Sequence, residues 1–422
     1  MRHLLQITLG KVPIYIILPI AAVVFFAAKH HDLSNDMIGG LAAMMVAGFM
    51  LRAIGEYVPI LNRIGGAPIM CIFVPSFLVA HQMVQLTTLA AISTTMKTSN
   101  LMYLFLACLI VGSILGVNRQ LLIHGFTRIF VPLIFGTVVA SLCGVGVGLL
   151  LGRPAWETFF FIVTPILAGG VAEGVLPLSI AYSEILGTND SDILAQIFPA
   201  ALIANIFAIL SAGCLAYLGN RYPTLSGNGV LIKGVDQSDM SQEVQGTFDF
   251  QLMGAGLLVI CALFTLGRFL SPYVGLPGVI VMILAVTILK FLNVFPKDID
   301  KGAYAMYQFM SQNLTPAILV GVGMLFVSWD KLVSAVTWDY VLICFATVQG
   351  MVLSTFALAK LMNMYPVECA VVCATHSGLG GTGDIAILTA AKRLHLMPFA
   401  AIATRIGGVL MIVFSTFFMR SL

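Results

Sequence analysis

The residues of this sequence best suited to chemistry lie in one short run, HSGLGGTGDIAILTAAKR, at positions 376–393. Glycines, a threonine and an aspartate occur together there, although the flanking segments are strongly apolar. If two half-helices meet in this run, one exposes backbone N–H groups that favour an anion, and the other exposes carbonyl groups that favour a cation. Glycine lets a ligand approach that backbone closely. The predicted contacts to a carboxylate are the amides of Gly380, Gly381 and Gly383 and the hydroxyl of Thr382.

A second run, GGVAEGVLPLS at 169–179, repeats the pattern of GGTGDIAILTA at 380–390. The paired glycines align, and Glu173 falls on Asp384. Agreement at both the glycines and the carboxylate favours an internal repeat over a chance match between two apolar segments. The substrate contacts predicted from this run are Gly169, Gly170, Val171 and Ala172.

The segments that follow the two runs are also alike, FPAALIANI at 198–206 and MPFAAIATRI at 397–406, and they align Asn205 with Arg405. Arg405 lies nine residues into a predicted final span, about 14 Å deep at 1.5 Å per residue. An intramembrane arginine costs at least about 2.5 kcal/mol and is a functional candidate. Its planar guanidinium pairs bidentately with a carboxylate. We predict that Arg405 binds a substrate carboxylate, with Asn205 nearby; a purely structural ion pair with one of the two aligned carboxylates is the alternative.

The carboxylates and free carbonyl groups of both runs are also candidates for holding a coupling cation such as Na⁺. Two alternatives stay open, because a carboxylate can simply cap the helix that follows it, and glycines can serve close helix packing. A histidine at the entrance of the second run could instead take part in proton coupling, or act only as a passive hydrogen-bonding group. The candidate cation-binding positions are Ala168, Glu173, Thr375, His376, Gly378, Asp384 and Thr404.

The elements that position these residues are predicted to be membrane-spanning helices. Hydrophobic residues make up 59% of the chain and charged residues 9%, whereas a soluble domain carries about 25% charged residues. We interpret the apolar N-terminal run as a retained first helix rather than a signal peptide. Apolar runs long enough to span a bilayer predict eleven helices near 12–29, 37–52, 66–84, 99–117, 127–151, 193–218, 250–270, 276–294, 302–328, 338–361 and 396–419.

Two apolar stretches remain, near 158–186 and 366–391, and each is interrupted by glycine and a carboxylate. We predict re-entrant helical hairpins there, since non-helical backbone is tolerated at membrane depth only where protein or a water-filled cavity surrounds it. The fold class is therefore an all-α polytopic membrane protein with inverted-topology repeats, an arrangement common in secondary transporters. The predicted divisions are a first helix in 1–36, repeats in 37–218 and 250–422, and a cytoplasmic linker in 219–249.

The distribution of Lys and Arg predicts the orientation. Most of them fall on one side when the N-terminus is cytoplasmic and the C-terminus is outside. Lys392 and Arg393, which follow the second run, are expected to anchor the cytoplasmic side or to attract anions weakly there.

A net charge of +3 is too small to indicate nucleic acid binding. The eight cysteines are scattered and include no CxxC pair, so we expect them to be apolar packing residues and not to form disulfides.

Two other classes of membrane protein, proteases and channels, fit the sequence less well. GTGD at 381–384 fits the GxGD pattern of intramembrane aspartyl proteases, but that chemistry needs a second aspartate in a Tyr-Asp pair to share one proton. No Tyr-Asp dipeptide occurs in this sequence, where Asp339-Tyr340 has the reverse order. Channels are more often symmetric oligomers around a pore than two inverted halves with single charged sites. A carrier is therefore favoured over both a protease and a channel, and we do not expect an enzyme.

With these motifs in place, the chain resembles the bacterial 2-hydroxycarboxylate transporter family, whose members carry citrate, malate and related acids. The likeness is carried by GGVAEGVLPLSIAYSEILG (169–187), by HSGLGGTGDIAILTAAKRLHLMPFAAIATRIGG (376–408) and by their spacing. It implies eleven spans plus two re-entrant hairpins, and a homodimer in the cytoplasmic membrane that moves a small organic acid by an elevator-like shift. It further implies coupling to Na⁺ or H⁺, or precursor/product exchange, with no other cofactor.

By this resemblance, residues 380–383 match the second GGxG motif of the family, and Arg405 matches its substrate-binding arginine. The first motif departs from the pattern, because Gly169-Gly170-Val171-Ala172 lacks the last glycine. With a single cation at membrane depth, the charge of citrate would need coupled Na⁺, and a C4 dicarboxylate such as malate demands less; a malate- or citrate-type acid is expected, without a choice between them. The two carboxylates and the free carbonyl groups favour Na⁺ over H⁺.

Overall fold

The computed structural model describes residues 8–9, 12–30, 32–58, 66–116, 119–231 and 249–421. The regular elements within these ranges are helices, apart from the residue pair Thr8–Leu9, which lies antiparallel to Val12–Pro13. The prediction of a helical membrane protein is confirmed, and the short strand pair was not predicted. The described helices are α1 Ile14–Lys29, α2 Met37–Tyr57, α3 Gly66–Ala80, α4 Leu86–Ser93, α5 Leu101–Gly116, α6 Arg119–Leu150, α7 Ala155–Ile166, α8 Leu176–Leu186, α9 Asp190–Arg221, α10 Phe250–Val274, α11 Gly278–Phe291, α12 Lys297–Asn313, α13 Thr315–Leu325, α14 Trp329–Ala335, α15 Trp338–Ala359, α16 Pro366–Thr375, α17 Gly381–Ala390 and α18 Met397–Arg420.

Six of the described helices are long and apolar enough to cross a bilayer by length and composition alone: α2, α6, α9, α10, α15 and α18. Helix α4 continues through a wide π-helical turn to Thr98 and meets α5 at a bend of 47°, so this pair would supply a seventh span. Shorter apolar helices account for several of the other predicted spans. The predicted total of eleven stays a prediction.

The single span predicted for 302–328 is divided in the structure. Helix α12 ends at Asn313, and α13 begins at Thr315 with Pro316 in its first turn. Proline lacks a backbone N–H and its ring clashes with the preceding turn, so a helix ends just before it. The residues from 86 to 98, which no predicted span included, are helical.

The described chain forms two compact units, and the first comprises residues 1–105 and 309–334. Its core is built where α2, α3 and α13 cross at close range. A Cβ added to Gly48 would lie 2.7 Å from the carbonyl carbon of Pro316, so only glycine permits this approach. The Ser76 hydroxyl donates a hydrogen bond of 2.7 Å to the carbonyl oxygen of Val327 and fixes the far end of the same packing.

The second unit comprises residues 106–308 and 335–422 and contains both glycine-rich runs. Helix α6 packs along α15, where a Cβ added to Gly350 would lie 3.0 Å from the Cα of Ala140. A buried ion pair joins Lys290 on α11 to Asp300 on α12 at 2.7 Å. The opposite charges are paired away from water, which lowers the cost of burying them.

Both glycine-rich runs contain a break in helical structure, as the sequence predicted. The first break separates α7 from a π-helical turn at Val171–Val175 that leads into α8, and the second separates α16 from α17. Gly170 has φ +122° and Gly380 has φ +71°, backbone conformations that side chains other than glycine rarely adopt. The glycines are therefore required by the backbone at the two points where helices stop.

Candidate functional site

The two breaks contact each other through their main chains. The Val171 amide donates a hydrogen bond of 3.2 Å to the carbonyl oxygen of Leu379. A Cβ added to Gly170 would lie 2.8 Å from the Cα of Gly380, which leaves no room for a side chain between them. The structure therefore brings the two predicted runs together. It also occupies the Val171 amide, which was predicted to face a substrate.

Asn205 on α9 holds the second break. Its side-chain oxygen accepts a hydrogen bond of 3.2 Å from the Leu379 amide, and the residue is fully buried. A Cβ added to Gly383 would lie 2.8 Å from the same oxygen, and one added to Gly378 would lie 3.3 Å from it. Asn205 thus contacts the second run, whereas in sequence it follows the first.

Helix α18 holds the first break in the corresponding way. A Cβ added to Gly169 would lie 2.2 Å from the carbonyl oxygen of Thr404, and one added to Gly408 would lie 2.3 Å from the carbonyl oxygen of Ala168. The backbone of the first break therefore lies directly against α18. Each long helix contacts the break that belongs to the other half of the sequence.

Arg405 on α18 extends toward the first break. Its Nη2 donates a hydrogen bond of 2.7 Å to the Tyr307 hydroxyl, and the guanidinium carbon lies 4.6 Å from the centre of the Tyr307 ring. Its Nε lies 3.9 Å from Oε2 of Glu173. The side chains of Arg405 and Glu173 are 16% and 22% exposed. The guanidinium of Arg405 therefore lies where the two breaks meet. It is partly exposed, and its ion pair with Glu173 is loose.

Tyr307 was missed by the sequence interpretation, which placed it inside an ordinary span. It lies on α12 next to Tyr304, with parallel rings 5.6 Å apart. A Cβ added to Gly116 would lie 2.1 Å from the Tyr304 ring, so α5 supports the pair from behind. Two tyrosines three residues apart lie on one helix face, and this spacing in an otherwise polar helix was the available signal.

Asp384 lies on the other side of the meeting point and is 2% exposed. The Thr404 hydroxyl donates to its carboxylate at 3.3 Å and lies 3.5 Å from the Thr375 hydroxyl. A carboxylate among hydroxyl oxygens is the type of environment that hard cations prefer. Three of the predicted cation-binding residues therefore form one cluster.

His376 and Ser377 are fully buried beside this cluster. Neither the ring nitrogens of His376 nor the Ser377 hydroxyl has a hydrogen-bond partner in the part of the chain that the structure describes. A Cβ added to Gly407 would lie 2.9 Å from Nδ1 of His376, so α18 packs directly on the ring. Buried polar groups of this kind require a partner such as water or an ion.

The remaining predicted residues lie at the rim of the breaks. Gly381 is exposed, and a Cβ added there would meet no atom within 4 Å. Ala172 is half-buried in the first turn after the first break. The Thr382 side chain lies outside the described part of the structure. Open space next to Gly381 is where a ligand can reach the start of α17.

Arg393 was predicted to be a basic anchor or a weak attractant for anions, and both roles require an exposed side chain. In the structure its side chain does not face solvent. Its Nε lies 3.1 Å from Oε1 of Glu368, which is fully buried. The same carboxylate accepts hydrogen bonds from the Ser226 hydroxyl at 2.7 Å and from the amides of Gly227 and Gly229 at 3.0 and 3.1 Å. Arg393 is therefore a structural residue. Part of the predicted linker is bound to the base of α16, while its residues 232–248 lie outside the described residues.

Comparison with known proteins agrees with the resemblance noted in the sequence. A family model described as the 2-hydroxycarboxylate transporter family matches residues 9–417. The Na(+)-malate symporter of Bacillus subtilis (strain 168) is 45% identical over 414 residues, which cover 98% of this chain and 92% of the relative. The citrate/malate-proton symporter of the same organism is 37% identical, covering 96% and 90% of the two chains. The citrate/sodium symporter of Salmonella typhimurium (strain LT2) is 31% identical, covering 92% and 89%.

Proposed function

The chain belongs to the 2-hydroxycarboxylate transporter family, and from this premise we propose that it is a Na⁺-coupled symporter of malate-type 2-hydroxycarboxylates. The observation that carries the coupling ion and the acid is the 45% identity to a Na⁺-malate symporter along nearly the whole chain. The site is consistent with such a substrate, because a guanidinium stands at the meeting point of two helix breaks. Citrate is the alternative acid within the same substrate class.

The proposed membrane architecture is that of the sequence interpretation. Eleven spans and two re-entrant hairpins form inverted repeats in 37–218 and 250–422, in a homodimer of the cytoplasmic membrane with its N-terminus inside and its C-terminus outside. Helix α9 of the first repeat contacts the second break, and α18 of the second repeat contacts the first break. These reciprocal contacts support the inverted repeat. Such reciprocal contacts are expected where two halves of similar sequence face each other in opposite orientation.

The proposed anion site combines one side chain with main-chain donors. Arg405 binds a substrate carboxylate through its planar fork. The start of α17 contributes amides of residues 380–383, where the positive end of the helix dipole favours an anion. Of the first run, Gly169 and Gly170 shape the break, and Ala172 lines its rim.

The proposed cation site lies at Asp384 with the hydroxyls of Thr404 and Thr375. Na⁺ binds there first and neutralises the buried carboxylate, which orders the second break against Asn205 and prepares the anion site. Both breaks and Arg405 belong to one compact unit. A carrier that moves its loaded site as a rigid body requires the whole site to lie within one such unit. The elevator-like shift itself remains a prediction.

Proton coupling is the second candidate, because a citrate/malate-proton symporter is also a close relative and the buried His376 could accept a proton. The experiment that separates the two is uptake of labelled malate and citrate into proteoliposomes, with Na⁺ and pH gradients imposed separately. We expect an inward Na⁺ gradient to drive malate accumulation without a pH gradient. Accumulation under a pH gradient alone would support proton coupling, and no accumulation of either acid would contradict the proposed function.

A further inference from the structure

The ion pair between Arg405 and Glu173 differs from two buried ion pairs of the same unit. Lys290 and Asp300 are 2.7 Å apart, and Arg393 lies 3.1 Å from Glu368 with side chains only 9% and 0% exposed. The Arg405–Glu173 pair is wider, at 3.9 Å, and both side chains are partly exposed. A charge-assisted hydrogen bond is normally about 2.7–2.9 Å long. The pair is therefore close enough for attraction but is not a closed contact.

The Arg405 guanidinium has unused hydrogen-bond donors on the side that faces Glu173. It carries five N–H donors, and within the described residues only the Tyr307 hydroxyl receives a hydrogen bond from it. The Tyr307 ring covers one face of the plane. The Nε edge, which faces Glu173, is one that a carboxylate ligand could approach.

Glu173 is attached to the break itself. It lies three residues after Gly170, inside the π-helical turn Val171–Val175 that begins the return of the chain. The turn starts at the amide bonded to Leu379, so the position of Glu173 depends on how the two breaks meet. A carboxylate on such a turn is held near Arg405 by the chain and not by a hydrogen bond to the guanidinium.

We propose that Glu173 is a tethered competitor for the substrate, a carboxylate that occupies the anion-binding edge of Arg405 in the empty carrier and is displaced when a substrate carboxylate binds. This inference rests on the proposed function and changes the role predicted for Glu173 from cation ligand to competing anion. Its chemistry is that of the substrate class, since both present a carboxylate to the same donors.

The exchange makes substrate binding dependent on cations. While Glu173 faces Arg405, their charges offset each other. Once substrate takes the guanidinium, the Glu173 carboxylate is left without its charged partner beside a second anion, and removing one charge of such a pair is costly. A cation bound nearby offsets that charge. Substrate and cation then bind with positive coupling.

The test is the isosteric substitution Glu173→Gln, which keeps the shape and removes the charge. Malate binding is measured by calorimetry on the full chain in lipid nanodiscs, with choline replacing Na⁺ and then with Na⁺ present. We expect Glu173→Gln to bind malate at least about fivefold more tightly than the unaltered protein without Na⁺, the lower range of a typical coupling between sites. The enhancement of binding by Na⁺ should shrink in the same variant.

The matched control is Glu184→Gln, which removes an exposed carboxylate from α8, the helix that follows the first break, and should leave both affinities unchanged. If Glu173→Gln does not fold, Glu173→Asp provides the measurement, because a shorter carboxylate competes less and should give an intermediate affinity. Weaker malate binding together with a higher Na⁺ requirement would identify Glu173 as a cation ligand and overturn the proposal, and unchanged binding would show a structural pair and also overturn it. If the unaltered protein binds neither malate nor citrate in Na⁺, the proposed function itself fails.

Discussion

The two glycine-rich breaks have nearly the same sequence pattern but different surroundings. Glu173 at the first break is partly exposed and faces the guanidinium of Arg405. Asp384, which aligns with it at the second break, is buried and receives a hydrogen bond from the Thr404 hydroxyl. The Glu173 carboxylate therefore lies next to a positive charge, and the Asp384 carboxylate lies next to oxygen atoms. In the roles that we propose, an anion competes at the first break and a cation binds at the second, so the two breaks are complementary.

The same divergence separates the aligned residues Asn205 and Arg405. Asn205 is fully buried and uses its amide oxygen to fix the Leu379 amide. Arg405 keeps donors available at a partly exposed edge. One long helix thus holds the opposite break in place, and the other presents a charge beside it. Asn205 therefore marks a supporting side of the point where the breaks meet, and Arg405 marks the side where we propose that the substrate binds.

Loss of the guanidinium should have the largest effect, because it removes the binding side entirely. Arg405→Ala should reduce malate affinity at least about 30-fold, since truncating one member of a hydrogen-bonded charge pair costs about 2–5 kcal/mol. Arg405→Lys keeps the charge without the planar fork and should restore only part of the affinity. Uptake into proteoliposomes and calorimetry measure the change.

The control for this substitution is Arg268→Ala, which removes an exposed arginine from α10 and should transport normally. Near-normal malate uptake by a folded Arg405→Ala protein would place the anion site elsewhere.

Separating the two breaks should have the next largest effect. Gly170→Ala places a Cβ 2.8 Å from the Cα of Gly380 at φ +122°. Backbone strain of this kind costs about 1–3 kcal/mol, and the clash adds to it, so we expect most malate uptake to be lost. The matched control is Gly152→Ala, because Gly152 also has a positive φ, of +80°, but a Cβ added there would meet no atom within 4 Å. Equal losses in both variants would mean that backbone strain alone, and not contact between the breaks, matters.

Removing the buried carboxylate should change the response to the cation rather than to the acid. We expect Asp384→Asn to raise the Na⁺ concentration for half-maximal malate uptake about tenfold or more, in line with the effect of disturbing a metal-binding shell. Uptake is measured over a Na⁺ series at saturating malate, with the exposed Asp330→Asn as control. A large loss of malate affinity with an unchanged Na⁺ response would contradict the division of roles between the breaks.

The smallest effect is expected from the residue that orients Arg405. Tyr307→Phe removes the hydroxyl that accepts from Nη2 but keeps the ring below the guanidinium. A hydrogen bond of this kind contributes about 1 kcal/mol, so the KM for malate should rise about fivefold with the maximal rate little changed. Tyr273→Phe, at a tyrosine that is 77% exposed, is the control. No change in KM would mean that ring contact alone positions the guanidinium.

The positions of the breaks were predictable because their signals are local. Glycine pairs followed by a carboxylate interrupt otherwise apolar stretches, and the structure stops its helices inside both predicted intervals, 158–186 and 366–391. The long helices after them were predicted equally well, since 193–218 corresponds to α9 and 396–419 to α18. Periodic apolar runs and capping residues carry such information in a few neighbouring residues.

The partners within the site were not predictable in the same way. Tyr307 and Arg405 are 98 residues apart in sequence, and no local pattern marks two residues that meet only after folding. Arg393 shows the opposite error, because a basic residue beside a span indicates an interface anchor until the buried Glu368 is known. The break between α12 and α13 did have a signal in Pro316, which the predicted span 302–328 passed over.

The network around Glu368 has a consequence for how the two halves of the sequence assemble. Ser226, Gly227 and Gly229 lie in the predicted linker, before residue 231, and they donate hydrogen bonds to the Glu368 carboxylate, which lies within the second repeat. The parts of the chain before 231 and after 249 are therefore joined by an interaction that does not depend on the covalent connection between them. Two polypeptides co-expressed from a gene divided in that interval should find each other and reconstitute the carrier.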